Sequence, residues 1–240
     1  MESAIRRSGP QNPGALFSRL LRQVGVSTAE DVPRAGETPP ALYPVEEAAA
    51  VRFVPRRHAE FAATRALARR ALADLGVAPG PLPVGRAGGP DWPPGVVGSL
   101  THCPTWRAAV VARRADVHAL GIDVEQAVEL RHGLLERICV NQYEVEAIRT
   151  LTARHEGIPF GKVLFSAKEA VFKTWAPLTG MRLEFRQAEI TLRVTGSDTG
   201  SFRVRFPAME SMANAYQTNE IRGKWIIRKG VVATAAFMIA

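Results

Sequence analysis

Two short segments, one strand-like and one helix-like, restrict what this chain can fold into more than any other feature. Side chains alternate between the two faces of a strand, so Asp123 and Glu125 point the same way. Residues four apart share one face of a helix, which brings Glu169 and Lys173 together. If the strand and the helix are neighbours, three carboxylates converge beside a lysine. Mg²⁺ prefers oxygen ligands and usually shares them with substrate phosphates, so this arrangement predicts a magnesium site with a phosphate-binding cation.

Each segment has a more ordinary interpretation when it is taken alone. An Asp-x-Glu pair on a strand is typical of a solvated sheet edge, and a Lys-Glu-x-x-x-Lys helix is typical of an exposed face with one ion pair. The combination favours a site, because this helix also has an apolar face on which it can be buried. Phe165, Phe172 and Trp175 form that face, away from Glu169 and Lys173.

Three motifs also carry a resemblance to a known family. The chain resembles the 4′-phosphopantetheinyl transferases of the surfactin and enterobactin type, in particular the bacterial members of about this length. The motifs occur in the family's order and at its spacing, and the similarity runs from about residue 44 to the C-terminus. They are Val-Gly-Ser-Leu-Thr-His-Cys at residues 97–103, Gly-Ile-Asp-Val-Glu at 121–125, and Phe-Ser-Ala-Lys-Glu at 165–169, continuing to Lys173.

The resemblance implies a transferase of the holo-[acyl-carrier-protein] synthase type. Such enzymes move the 4′-phosphopantetheine arm of coenzyme A onto a serine of an apo acyl or peptidyl carrier protein and release 3′,5′-ADP. Negative charge develops on the leaving oxygen, and a metal that spans the two phosphates stabilises this charge and lowers the energy barrier of the transfer. By resemblance, Asp123, Glu125 and Glu169 hold Mg²⁺. Glu169 is also the expected general base, directly or through a water, and Lys173 neutralises the pyrophosphate.

Contacts to coenzyme A are expected, again by resemblance, from basic and hydroxyl side chains. Arg57 and Arg65, near the start of a predicted helix, match the basic residues that grip the 3′-phosphate in similar enzymes. Arg86 falls near a position where relatives often carry lysine. Lys168 is either a structural or a phosphate-side neighbour. The full expected set is Arg57, Arg65, Arg86, Thr101, His102, Lys168 and Lys173.

Periodicity along the chain predicts an α+β fold. Helices are expected at residues 15–24, 58–75, 132–150 and 162–176, the last closed by Pro177. Loops are expected at 33–44 and 79–97, where Pro and Gly are frequent. Strands are expected as a meander over 98–102, 107–115 and 118–125, with two alternating strands around 190–194 and 202–206, and a hairpin of 222–229 and 231–239.

The expected organisation is a disordered N-terminus at residues 1–14, an N-terminal α+β half at 15–119 and a C-terminal α+β half at 120–240 that carries the metal site. The resemblance adds that the two halves are similar and related by a pseudo-twofold axis, with the active site between them. The carrier is expected to dock near the helix at 132–150. Leu134, Leu135 and Ile138 form an apolar stripe there, which core packing explains equally well.

Composition leaves more than one class of partner open. The net charge of +8 favours polyanions, and a phosphate-rich cofactor with an acidic carrier explains it as well as nucleic acid does. Scattered arginines without interleaved aromatics argue against nucleic acid. We expect a monomeric cytoplasmic protein without a signal peptide, a membrane span or disulfides. A magnesium-dependent phosphodiesterase and a nucleotide- or nucleic-acid-binding protein are the alternatives to the transferase.

Overall fold

The computed structural model describes residues 15–85 and 88–240, which form a mixed helix and sheet structure. The longer helices are α1 Leu16–Leu20, α2 Pro44–Ala50, α3 Pro55–Asp74, α4 Leu134–Ile138, α5 Gln142–Arg154, α6 Phe160–Thr179 and α7 Glu210–Ala215. The strands are β1 Val26–Asp31, β2 Val96–Cys103, β3 Trp106–Arg113, β4 Val117–Gln126, β5 Glu189–Val194, β6 Thr199–Arg205, β7 Arg222–Arg228 and β8 Val231–Ile239.

The first sheet has three antiparallel strands in the order β1-β3-β2. Helix α3 covers its outer face and packs Leu67 and Leu72 against Ala109 and Val111. This helix begins at Pro55, earlier than predicted, because proline has the backbone angle that the first helical position needs and lacks only an N–H that would be unpaired there.

The second sheet has five antiparallel strands in the order β4-β8-β7-β6-β5. Helix α6 covers its outer face, burying Phe160 and Trp175 completely. Gly121 is needed for this close packing, since a Cβ atom there would lie 2.1 Å from the backbone oxygen of Ala170 on α6. Strand β4 therefore lies directly under the helix that carries Glu169.

The two sheets face each other across a shared apolar core. Val110 of the first sheet and Ile122 and Val124 of the second belong to this core, together with Leu16 and Phe17 of α1. The layers thus run α3, first sheet, shared core, second sheet and α6. Within the described ranges, no helix is long and apolar enough to cross a membrane.

Strand β2 meets β4 through hydroxyl side chains. The backbone N–H of Ile122 donates to Oγ of Ser99 at 3.0 Å, and that of Val124 donates to Oγ1 of Thr101 at 3.0 Å. The predicted meander of three strands is therefore wrong: β4 takes its backbone ladder from β8 and joins the second sheet. Alternation along one strand does not reveal which partner supplies its hydrogen bonds.

The α+β class is confirmed, while several element boundaries differ from the predictions. The helix expected to close at Pro177 continues to Thr179, because a proline in the last turn removes only one intrahelical bond and Gly180 then ends the helix with φ of 69°. The helix predicted at 132–150 divides into α4 and α5, with Asn141 capping the second. Strand β1 and helix α2 were not predicted.

The predicted halves and their pseudo-twofold relation stay predictions. The predicted boundary between residues 119 and 120 falls inside β4, which begins at Val117. The predicted disorder of residues 1–14 concerns a segment outside the described residues.

Candidate active site

Asp123 is the most enclosed carboxylate of the candidate site, with 5% of its surface exposed. It lies on the face of β4 that α6 covers. From α6, Ser166 donates to Oδ2 at 2.9 Å and Lys173 donates to Oδ1 at 2.8 Å. Thr101 of β2 adds a longer contact of 3.4 Å to Oδ1. The predicted convergence of strand and helix is therefore present, with the motif around residue 101 beside it.

Glu125 follows on the same face of β4 and is half-buried. Its Oε2 atom lies 3.4 Å from Nζ of Lys162, which is on the first turn of α6. Burial raises the pKa of Glu125, and the charge of Asp123 raises it further, whereas Lys162 lowers it. The two carboxylates of the strand are thus held by two different lysines of one helix.

Glu169 is the third carboxylate, and it differs from the other two in having no partner. No hydrogen bond or ion pair to its side chain occurs in the part of the chain that the structure describes. Burial raises the pKa of Glu169, as do Asp123 and Glu125, while Lys173 lowers it. A half-buried carboxylate with a raised pKa and free oxygens is suited to accept a proton.

A cavity of about 720 Å³ opens beside Glu169 along α6. Its wall combines apolar side chains with arginines, and it therefore offers both an apolar surface and positive charge next to the free carboxylate. The side chains that define this character are Phe172, Met181, Leu183, Phe185, Arg137, Arg182 and Arg186.

The donor chemistry of the three carboxylates fits a hard divalent cation. Asp123 and Glu125 raise the pKa of Glu169, which means that the three negative charges oppose one another. Oxygen ligands of this kind are those that Mg²⁺ takes. In the conformation described for residues 15–85 and 88–240, no three Asp, Glu, His or Cys side chains are grouped closely enough to hold an ion. In this conformation, Lys162 is bound to Glu125 and Lys173 is bound to Asp123, so two of the three carboxylates have a lysine as their cation.

A second cluster joins α3 to the end of β2. Arg57 Nη1 lies 2.8 Å from His102 Nε2, and Glu60 lies 3.8 Å from the same imidazole nitrogen. Arginine is only a donor, so Nε2 of His102 accepts and the imidazole is neutral in this arrangement. Burial lowers the pKa of His102, with Glu60 opposing and Arg57 adding to the decrease. The structure brings together two residues predicted to contact coenzyme A.

Arg65 lies apart from that cluster, buried between α3 and the loop that contains Leu82. It is 4% exposed, its Nε donates to the backbone oxygen of Leu82, and its guanidinium carbon lies 3.3 Å from the centre of the Phe61 ring. Burial lowers the pKa of Arg65 to about 10, while buried Glu46 raises it. These contacts fix the loop after α3, and a contact from Arg65 to coenzyme A stays a prediction.

Lys168 has a structural role. It is 2% exposed, and its ammonium group donates to Glu144 at 2.9 Å and to the backbone oxygens of Phe185 and Ala188. All three of its protons are occupied, so none remains for a phosphate. These bonds favour the structural alternative for Lys168, and a contact from Lys168 to coenzyme A stays a prediction.

Two further predictions concern Arg86 and the apolar stripe of α4. Arg86 lies outside the described residues. In the stripe of α4, Ile138 is buried, and Leu134 and Leu135 pack against the core around α6. Core packing thus accounts for this stripe, and docking of a carrier near it stays a prediction.

Sequence reasoning missed Lys162 and Ser166. Both lie on the face of α6 that carries Glu169 and Lys173, since residues 162, 166, 169 and 173 are spaced by three or four. Extending the helical face by two turns toward the N-terminus would have found them.

Comparison with known proteins shows which proteins this chain is similar to. A family model described as the 4′-phosphopantetheinyl transferase N-terminal domain matches residues 45–112, and one described as the 4′-phosphopantetheinyl transferase superfamily matches residues 119–227. The 4′-phosphopantetheinyl transferase Svp of Streptomyces mobaraensis is 43% identical over 199 residues, 83% of this chain and 79% of its own. The 4′-phosphopantetheinyl transferase PptT of Mycobacterium tuberculosis is 40% identical, over 82% of this chain and 87% of its own. Enterobactin synthase component D of Salmonella typhimurium is 28% identical, over 75% and 71%.

Proposed function

The chain belongs to the 4′-phosphopantetheinyl transferase superfamily, and on that premise we propose that it moves the 4′-phosphopantetheine arm of coenzyme A to a serine of an apo acyl or peptidyl carrier protein. The reaction depends on Mg²⁺ and releases 3′,5′-ADP. The observation that carries the proposal is the meeting of β4 and α6, where Lys173 and Ser166 hold Asp123 beside the free carboxylate of Glu169.

Glu169 is the proton acceptor in this proposal. The hydroxyl of the carrier serine attacks the phosphorus of coenzyme A that bears the pantetheine arm. During this attack the hydroxyl must lose its proton. Glu169 has free oxygens, lines a cavity and has a pKa raised by burial, and it therefore suits the role of general base better than Asp123, whose two oxygens accept hydrogen bonds. The family resemblance gives Glu169 the same role.

Lys173 stabilises the negative charge of the pyrophosphate as the bond to 3′,5′-ADP breaks. Its ammonium group is partly exposed and already lies among the carboxylates. Asp123, Glu125 and Glu169 are the residues that hold Mg²⁺. When bound there, the cation supplies Lewis-acid stabilisation of charge on the phosphate oxygens.

Arg57 and His102 bind the phosphates at the other end of coenzyme A. Arg57 is exposed at the start of α3 and lies against His102, so a phosphate bound beside the pair accepts a charge-assisted hydrogen bond from Arg57, and a second one from His102 when the imidazole is protonated. Thr101 positions Asp123 and the strand edge and has little surface for coenzyme A, being 3% exposed.

The carrier protein approaches the cavity beside Glu169. Carrier proteins of this class are acidic, and Arg137, Arg182 and Arg186 give the rim of the cavity a positive charge. This position agrees with docking near α4 and α5.

We also propose a cytoplasmic monomer whose halves, residues 15–119 and 120–240, are related by a pseudo-twofold axis. The carriers belong to fatty acid, polyketide or nonribosomal peptide synthesis.

The test is incubation of the protein with coenzyme A and Mg²⁺ against a panel of apo carriers. Each carrier is then weighed intact by mass spectrometry. A gain of one phosphopantetheine arm on at least one carrier supports the proposal. A reaction without carrier serves as the control, because hydrolysis of coenzyme A there, with no loading of any carrier, would support a phosphodiesterase instead.

A further inference from the structure

Lys162 is a lysine of the candidate site whose role is not explained by the proposed reaction. It lies on the first turn of α6, on the same face as Glu169 and Lys173. Its Nζ atom is 3.4 Å from Oε2 of Glu125 and 5.2 Å from the centre of the Phe165 ring. The side chain of Lys162 is 15% exposed and that of Glu125 is 32% exposed. The pair therefore borders solvent, where small ions have access.

Three lysines of α6 are bound with different strength. Lys168 is buried with three partners, and Lys173 donates to Asp123 at 2.8 Å and to a backbone oxygen at 3.0 Å. The contact of Lys162 with Glu125 is longer than the usual 2.7–3.2 Å range for such bonds. Among the described residues, it is also the single hydrogen bond or ion pair of the Glu125 side chain. A weak contact of this kind exchanges readily.

Charge balance explains why a weakly bound lysine is useful at this position. Asp123 and Glu125 share one face of β4, and Glu169 lies on the face of α6 from which Lys173 bonds Asp123, so three negative charges are gathered here. Without a divalent cation, the ammonium group of Lys162 is the nearest positive charge that compensates Glu125. Its stem of four carbons is flexible, so the ammonium group, which lies 5.2 Å from the centre of the Phe165 ring, can leave Glu125 while the backbone of α6 stays in place.

We propose that Lys162 is a positioning residue that holds Glu125 while the site lacks a divalent cation and releases Glu125 when the cation binds. Lys162 and the cation thus compete for one carboxylate. This inference rests on the metal site of the proposed function. It concerns metal binding before coenzyme A or a carrier is present, so it is tested without the transfer reaction.

The experiment measures Mn²⁺ binding by electron paramagnetic resonance, without coenzyme A or carrier. Four proteins are compared: wild type, Lys162→Met, Glu125→Gln and the double variant. Methionine keeps a long, unbranched side chain and removes the charge. Lys162→Met should bind Mn²⁺ about two- to fivefold more tightly than wild type, as expected for the loss of a partly exposed ion pair. In the Glu125→Gln background, the same lysine change should have no effect, because the competing contact is already absent.

Two control variants separate competition from a general charge effect. Lys162→Arg keeps the charge and should bind Mn²⁺ as wild type does. Arg113→Met removes one positive charge at the end of β3 that pairs with Val96, five residues before Thr101 on β2, and should also leave the affinity unchanged.

Unchanged or weaker Mn²⁺ binding by Lys162→Met would overturn the inference, as would tighter binding that persists in the Glu125→Gln background. Absence of Mn²⁺ binding by wild type would overturn it as well. A protein that shows the predicted binding pattern and loads no carrier would contradict the proposed function and leave this inference standing.

Discussion

Lys173 on α6 donates a hydrogen bond to Oδ1 of Asp123 on β4, with 2.8 Å between the two atoms and 50 residues between their positions in the chain. The same ammonium group donates to the backbone oxygen of Ile122 at 3.0 Å. The bond fixes helix to strand, and it compensates the charge of a carboxylate that is almost fully enclosed. A change at either residue should therefore affect the reaction more than the fold.

Asp123→Asn should reduce the rate of carrier loading by at least about a hundredfold, because it removes a charged oxygen ligand and the charge that orients Lys173. Asparagine has the same shape and can still accept from Lys173, so the protein should remain folded. The measurement is kcat/KM for carrier loading, with the thermal midpoint of unfolding measured in parallel.

Asp198→Asn is the matched control for that change. Asp198 also accepts from a basic side chain, Arg228 at 2.8 Å, but the pair lies on the surface of the second sheet. Its loading rate should equal that of wild type. Equal activity of Asp123→Asn and Asp198→Asn would contradict the assignment of Asp123.

Arg57→Ala should raise the Michaelis constant for coenzyme A about ten- to a hundredfold with a smaller effect on kcat, since a charge-assisted phosphate contact contributes about 1.5–3 kcal/mol. Arg56→Ala is the neighbouring control. Arg56 is exposed and pairs with Glu60 at 3.0 Å, yet makes no contact with His102. Steady-state kinetics with 3′-dephospho-coenzyme A identify the phosphate. If wild type and Arg57→Ala discriminate equally against this analogue, Arg57 does not bind the 3′-phosphate.

In the free protein, the pKa of His102 should lie below the ordinary histidine value of about 6.5. Burial lowers the pKa of His102, so as pH falls the unfolded chain takes up this proton before the folded protein does. The free energy of unfolding should therefore decrease relative to His102→Gln as pH falls below about 6.5, and level off below the folded-state pKa.

Nuclear magnetic resonance of the imidazole, assigned with His102→Gln, measures this titration directly. Addition of coenzyme A should raise the pKa of His102, because phosphates favour the charged imidazolium. A pKa above about 6.5 in the free protein, or no increase on adding coenzyme A, would be contrary to the proposed environment.

Lys168→Met should destabilise the protein by about 3–5 kcal/mol, because it leaves buried Glu144 without its cation. The folded fraction should load a carrier at nearly the wild-type rate. Lys173→Met should show a large loss of kcat and a smaller loss of stability than Lys168→Met, because Lys173 is partly exposed and Asp123 keeps the bond from Ser166. Denaturant unfolding and loading kinetics on both variants provide the comparison. A large rise in the Michaelis constant for coenzyme A in folded Lys168→Met would restore the phosphate contact predicted from sequence.

Carrier binding should weaken as salt concentration rises, mainly through a slower association rate. The net charge is +8, and the reach of surface charges shortens to about 10 Å at 0.1 M salt. The measurement is a carrier titration at saturating coenzyme A over a series of salt concentrations. A flat response would mean that docking depends on apolar contacts, such as those of Phe172 and Met181 in the cavity wall.

Local patterns predicted the strand and the helix of the candidate site well. Asp123 and Glu169 belong to segments whose periods of two and about 3.6 residues are clear, and each period fixes which side chains share a face. The hairpin of β7 and β8 was predicted for the same reason, since two alternating runs flank Lys229 and Gly230.

Pairing between distant segments was beyond these patterns. Strand β4 joins β8, more than a hundred residues away, and β2 contacts β4 through the hydroxyls of Ser99 and Thr101. No local period encodes such partners.

The burial of Lys168 could not be predicted for a related reason. Its partners come from two other segments, Glu144 from α5 and the backbone oxygens of Phe185 and Ala188 from one turn, whereas a lysine beside Glu169 in sequence invites an assignment to the site.

The most direct test of the account follows both products of one reaction. An apo carrier is incubated with coenzyme A, Mg²⁺ and the protein, and the loaded carrier and the released 3′,5′-ADP are quantified together. We expect one 3′,5′-ADP for each carrier that gains a phosphopantetheine arm, and formation of both products at least about a hundredfold more slowly with Asp123→Asn. Release of 3′,5′-ADP without loading of any carrier, or no reaction with any of the carriers, would contradict the transferase function.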